Sequence, residues 1–149
     1  MTRYTRGRNF EYRVRDDMAR RGYVAVRSPA SKTPADVYCI GIDSKVFVQC
    51  KTGGRLAASE WNEFFDFCWS VDAVPVLAET GENGRGIRYH RLLDRKTGRG
   101  RQPMEDYEPP KGGRREVQES QGRRNRVQDR DGEPAGQRPL PAPFQGRTS

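Results

Sequence analysis

Cysteine, histidine and long apolar runs are all scarce in this sequence. Three cysteines (Cys39, Cys50, Cys68) are spread over 149 residues without the even count or spacing of a disulfide framework, which suits a reducing compartment. His90 is the only histidine, so a zinc site built from His and Cys lacks suitable ligand spacing. No stretch approaches the ~18–20 apolar residues that cross a bilayer. The opening residues, MTRYTRGRNFEYR, hold no apolar segment of signal-peptide length. Membrane-spanning and secreted proteins are therefore not expected, and an intracellular one is. Hydrophobic residues make up only 33% of the chain and the mean hydropathy is -1.01, low for a uniformly packed globule.

The shortage of apolar residues is greatest after Glu108. Residues 109–149 hold six of the ten prolines and six of the sixteen glycines, but only six hydrophobic residues. Pro+Gly then reaches the ~25–30% level of low-complexity disorder. Such a segment buries too little apolar surface to offset the entropy of ordering it. The expected organisation is one folded domain over residues 1–108 and a disordered, basic Pro/Gly-rich tail over 109–149.

What the sequence does have is positive charge. The net +8 divides into +4 for each part. It is densest at the start, where Arg3, Arg6, Arg8, Arg13, Arg15, Arg20, Arg21 and Arg27 face only Glu11, Asp16 and Asp17. A surface of this kind attracts polyanions through counterion release, although it also serves simply to keep a protein soluble. Arg123, Arg124 and Arg126 give the tail a weak version of the same property.

Hydrophobic spacing suggests an α/β fold. Phe10, Val14 and Met18 form the stripe of a helix over roughly residues 6–21, with Gly22 as its C-terminal cap. Residues 23–28, 36–42 and 45–51 read as strands, with a proline-containing loop over 29–35 and a short turn at Asp43 and Ser44. Ser59 is placed to cap a second helix carrying Trp61, Phe64, Phe65, Cys68 and Trp69 as a core or dimer-interface stripe. Residues 74–79 and 87–92 complete the set, with Pro75 near a strand start, where it is tolerated. The glycines of 81–86 lack the lysine of a phosphate-binding loop and read as a hairpin turn. The order α-β-β-β-α-β-β describes a mixed central sheet flanked by helices.

Four residues carry the chemical signal: Glu11, Asp36, Gln49 and Lys51. Strand alternation projects Gln49 and Lys51 from one face, and the hairpin brings Asp36 beside the end of their strand. Glu11 lies about 20° around the helix from Met18, at the border of the buried stripe. A carboxylate there needs a partner, and a metal ion is one. Hard divalent cations prefer oxygen ligands, and Mg2+ typically takes one or two carboxylates with water and phosphate oxygens. Asp36, the Cys50 backbone carbonyl, the Gln49 amide oxygen and Glu11 are the candidate metal ligands, with Lys51 as the catalytic cation. Phosphodiester hydrolysis fits this set.

The arrangement resembles the PD-(D/E)XK nuclease superfamily, and within it the archaeal-type Holliday junction resolvases. The similarity rests on Arg27-Ser-Pro-Ala-Ser-Lys-Thr-Pro-Ala-Asp36 and Val48-Gln-Cys-Lys-Thr52, with Glu11 in the preceding helix, and covers roughly residues 6–95. It implies a restriction-endonuclease-like core and a homodimeric enzyme using Mg2+, with Mn2+ as a substitute. Such an enzyme nicks opposed strands of a four-way or otherwise branched DNA. It also implies DNA contacts from Arg27, Ser28, Ser31 and Lys32, with Arg6, Arg8 and Arg55 extending the basic surface. The location implied is cytoplasmic or nucleoid-associated, including a virus-encoded protein acting inside its host. One departure stands out: Gln49 replaces the second acid of the motif. That keeps two alternatives open, a restriction- or repair-type endonuclease of the same fold and a non-catalytic DNA-binding module.

Overall fold

The computed structural model describes residues 2–29, 33–53, 55–98 and 100–113, all within a unit spanning Met1–Arg115. Ser31, Lys32 and residues 114–149 of the expected tail, Arg123, Arg124 and Arg126 included, lie outside the described residues. Helix α1 (Arg3–Arg20) opens three residues earlier than its apolar stripe suggests, because the Thr2 side chain accepts the Thr5 N–H at 3.1 Å and caps it. Phe10, Val14 and Met18 are buried, as their spacing requires. Gly22 follows with φ of 100°, the left-handed conformation that ends a helix without strain.

Strands β1 (Val24–Arg27), β2 (Val37–Ile40) and β3 (Lys45–Lys51) form an antiparallel meander. Helix α2 (Ala58–Ser70) then carries the chain to β4 (Val74–Thr80), which lies parallel to β3. A single 3-10 turn, Glu82–Gly84, leads into β5 (Ile87–Leu92), and β6 (Met104–Asp106) adds an antiparallel edge. The six strands lie in sequence order. The expected mixed sheet with flanking helices is present, and β6 is an addition to the expected elements. Pro75 sits inside the sheet opposite Phe47, but the β5 ladder begins only at Val76. Its missing N–H is tolerated for that reason.

Two cores lie on opposite faces. Phe10, Val14 and Met18 pack with Val37, Cys39, Val46, Val48, Val76 and Ala78, whereas Trp61, Phe64 and Cys68 pack with Phe47, Leu56, Leu77 and Leu92. Strand β3 therefore sends Val46, Val48 and Cys50 toward α1 and Phe47 toward α2. Its alternation continues outward to place Gln49 and Lys51 on the α2 side.

Three local expectations are corrected. Ser59 lies inside the first turn of α2, which starts from Ala57 without a side-chain cap. Trp69, at the end of the stripe expected as core or dimer interface, is not core: it is 78% exposed, stacked on Phe65 with ring centroids 6.2 Å apart. Strand β2 stops at Ile40 rather than 42, because the Ile42 and Asp43 N–H groups donate to Gly112 and Gly113 carbonyls. Residues 109–113, which composition places in the tail, thus pack on the domain. Pro109 is fully buried, and Gly41 and Gly113 approach so closely that a Cβ on Gly41 would lie 2.3 Å from the Gly113 Cα. Among the described residues, no helix is long and apolar enough to cross a membrane.

Candidate active site

Asp36 is fixed where the first three strands meet. Its carbonyl accepts the Ser28 N–H, its own N–H donates to Val48, and its carboxylate Oδ2 accepts the Cys50 N–H, each at 2.8 Å. The hairpin register thus ties Asp36 to the C-terminal half of β3, as expected from sequence. Burial pushes its carboxyl up to about 6. The Cys50 N–H, Lys51 and Arg27 oppose that shift, while the charge of Glu11 adds to it. The charges of Glu11, Lys51 and Arg27 thus all bear on Asp36. The Cys50 thiol reports the same crowding: burial holds it well above the usual thiol range, with Asp36 and Glu11 adding to the effect.

The other residues take distinct places. Glu11 Oε2 accepts from Arg27 Nη1 at 2.8 Å, joining α1 to the end of β1. The Arg27 guanidinium also lies 4.7 Å from the centre of the Tyr12 ring, with Arg15 at 4.9 Å and Arg8 at 5.8 Å from that ring. Lys51 Nζ lies 3.7 Å from Glu60 Oε2 on α2. Gln49 is half-buried on the same face, opposite Leu77 in the parallel ladder. Ser28 is buried and its hydroxyl is 3.2 Å from that of Thr33, which also bonds the Tyr38 hydroxyl. In this arrangement Ser28 braces the base of its loop instead of presenting a free hydroxyl. Arg6 and Arg55 are exposed.

The donors expected for a hard cation are oxygen atoms of Asp36, Glu11, Gln49 and the Cys50 carbonyl. Among the described residues no three of His, Cys, Asp and Glu cluster as a metal-holding group. Of the four expected ligands, Asp36 and the Cys50 backbone are joined by a hydrogen bond, whereas Glu11 comes from α1 and is paired with Arg27, and Gln49 projects on the α2 side of the sheet. Sequence reasoning missed Glu60, the Tyr12 arginine cluster and a cavity beyond Lys51. Only the acidic residue in the first turn of α2 offered a signal.

No protein-family model matches this chain, and no curated protein matches it in sequence. Among solved structures it is similar to Hjc, a Holliday junction resolvase from the archaeal hyperthermophile Archaeoglobus fulgidus. The match has a TM-score of 0.52 and 17% identity, covering 62% of this chain and 79% of that one. The fold is similar to that of Hjc. At this identity the likeness is one of architecture, and activity must be argued from the side chains.

Proposed function

We propose that this chain is a Mg2+-dependent DNA endonuclease that cuts four-way or related branched DNA as a homodimer. What supports this reading is Asp36 held by the Cys50 N–H at the end of β3, the strand that also carries Gln49 and Lys51, on a fold similar to that of a resolvase. Asp36 and Glu11, with the Gln49 amide and Cys50 carbonyl, would hold the metal. A bound divalent ion supplies Lewis acidity and lowers the pKa of its water. Lys51 balances charge gathering on the scissile phosphate, and Arg27, Arg8 and Arg15 hold the backbone of the strand. Arg6 and Arg55 add screened, sequence-independent attraction.

Gln49 favours a second reading. One negative charge fewer weakens the cation's hold, which suits either a restriction- or repair-type cutter or a module that only binds. Incubation with Mg2+ and labelled four-way junction, linear duplex and single strand separates the three. The proposal predicts paired symmetric nicks confined to the junction. Duplex cleavage supports the restriction-like alternative, and binding without any cleavage contradicts an enzyme.

A further inference from the structure

A cavity of about 650 Å3 opens on the α2 side of β4, β5 and β6, within the ~300–1,000 Å3 range of small-molecule sites. It adjoins the candidate active site, because Glu79 on its wall is the ladder partner of Lys51 and Arg55 follows in the next loop. His90 is part of its lining, with a side chain only 12% exposed. Its Nδ1 lies 3.3 Å from Asp106 Oδ1 and its Nε2 lies 3.1 Å from Glu79 Oε2. That second contact lacks hydrogen-bond geometry, so buried Nε2 is left without a hydrogen-bond partner. Arg101 and Gln102 complete the polar wall.

This lining selects its ligand by elimination. Three acidic residues, Glu79, Glu105 and Asp106, disfavour a bare phosphate, and Arg55 and Arg101 disfavour a bare cation. Donors and acceptors are interleaved, which is the pattern offered by the edge of a nucleobase. Guanidinium planes also stack on bases, and enzymes that act on nucleic acids take in bases swung out of the helix. We infer that this cavity receives an unpaired nucleobase extruded beside a backbone phosphate contacted by Lys51. Glu79 and Asp106 would accept from an exocyclic amino group, while Arg55, Arg101 and Gln102 donate to ring or carbonyl acceptors. This rests on the DNA-cutting function proposed above.

The test uses the full chain in EDTA, so that cleavage plays no part. Four-way junctions carry 2-aminopurine at each position flanking the branch, and fluorescence is read on binding. The expected result is a several-fold rise at one position, since no Phe, Tyr or Trp lines the cavity to quench it. An abasic residue at that position should then weaken wild-type binding about tenfold. His90→Leu and the surface double variant Arg101→Ala with Asp106→Asn should bind the junction but lose both effects. The double variant guards against misfolding of the first. Junction binding with no responsive position, or variants that keep both effects, overturns the inference while leaving the nuclease reading intact. A chain that binds no DNA removes both.

Discussion

Two partly buried aspartates, Asp17 of α1 and Asp36, make an instructive pair. Asp17, near the end of the helix, is also pushed up by burial, but hydrogen bonds from the Tyr89 hydroxyl and Arg21 outweigh that, and its pKa falls below the ordinary value. Asp36 receives one backbone N–H, and its nearby cations leave burial dominant, so its pKa rises to about 6. A carboxylate that serves architecture is compensated by its own chain. On the proposed function the undercompensated one is the carboxylate that takes the cation, and perturbed groups of this kind concentrate at functional sites.

The largest effect expected from this contrast is on chemistry. Asp36→Asn and Lys51→Ala should each lower the single-turnover cleavage rate by about 10²–10³ or more, while junction affinity in EDTA stays within a few-fold. Asp17→Asn should leave the cleavage rate unchanged. Equal loss of rate in the Asp17 and Asp36 variants would erase the distinction.

Stability should move in opposite directions. A raised carboxyl binds its proton more tightly in the native state, so its contribution is full below the unfolded value of 3.8 and is lost as pH rises through about 6. Asp36→Asn removes that loss. It should therefore gain stability relative to wild type between pH 4 and pH 7.5, by up to about 3 kcal/mol in urea melts. Asp17 behaves in reverse, its contribution being present above its unfolded pKa and lost as pH falls through the lower folded one. Asp17→Asn should cost about 1–2 kcal/mol at pH 7 and less at pH 3. The smallest effect belongs to Gln49→Glu, which restores a negative charge and should keep or modestly raise cleavage at limiting Mg2+. Complete inactivation there would assign the amide a different task.

The parts of this molecule governed by periodicity were legible from its residues. The Phe10, Val14 and Met18 stripe and the alternation of Val46 to Lys51 are local consequences of helix and strand geometry, and they place Lys51 and Gln49 on one face. Asp36 was legible because a hairpin brings its strand start to the neighbouring strand's end. Contacts set by distant register were not. Strand β6 is three residues long and carries no pattern. The close passage of Gly113 against Gly41 depends on a return of the chain that no local signal encodes. The same holds for Glu60 beside Lys51, and for the polar cavity that β4, β5 and β6 assemble between them. Trp69 faces outward because α2 buries only the arc centred on Trp61, Phe64 and Cys68.

The most direct measurement is a 13C titration of the Asp36 carboxyl with and without saturating Mg2+. The account predicts a midpoint near 6 in metal-free protein and a clear downward displacement when the ion is added. A midpoint that ignores Mg2+ would contradict the claim that this carboxylate is held in reserve for a cation.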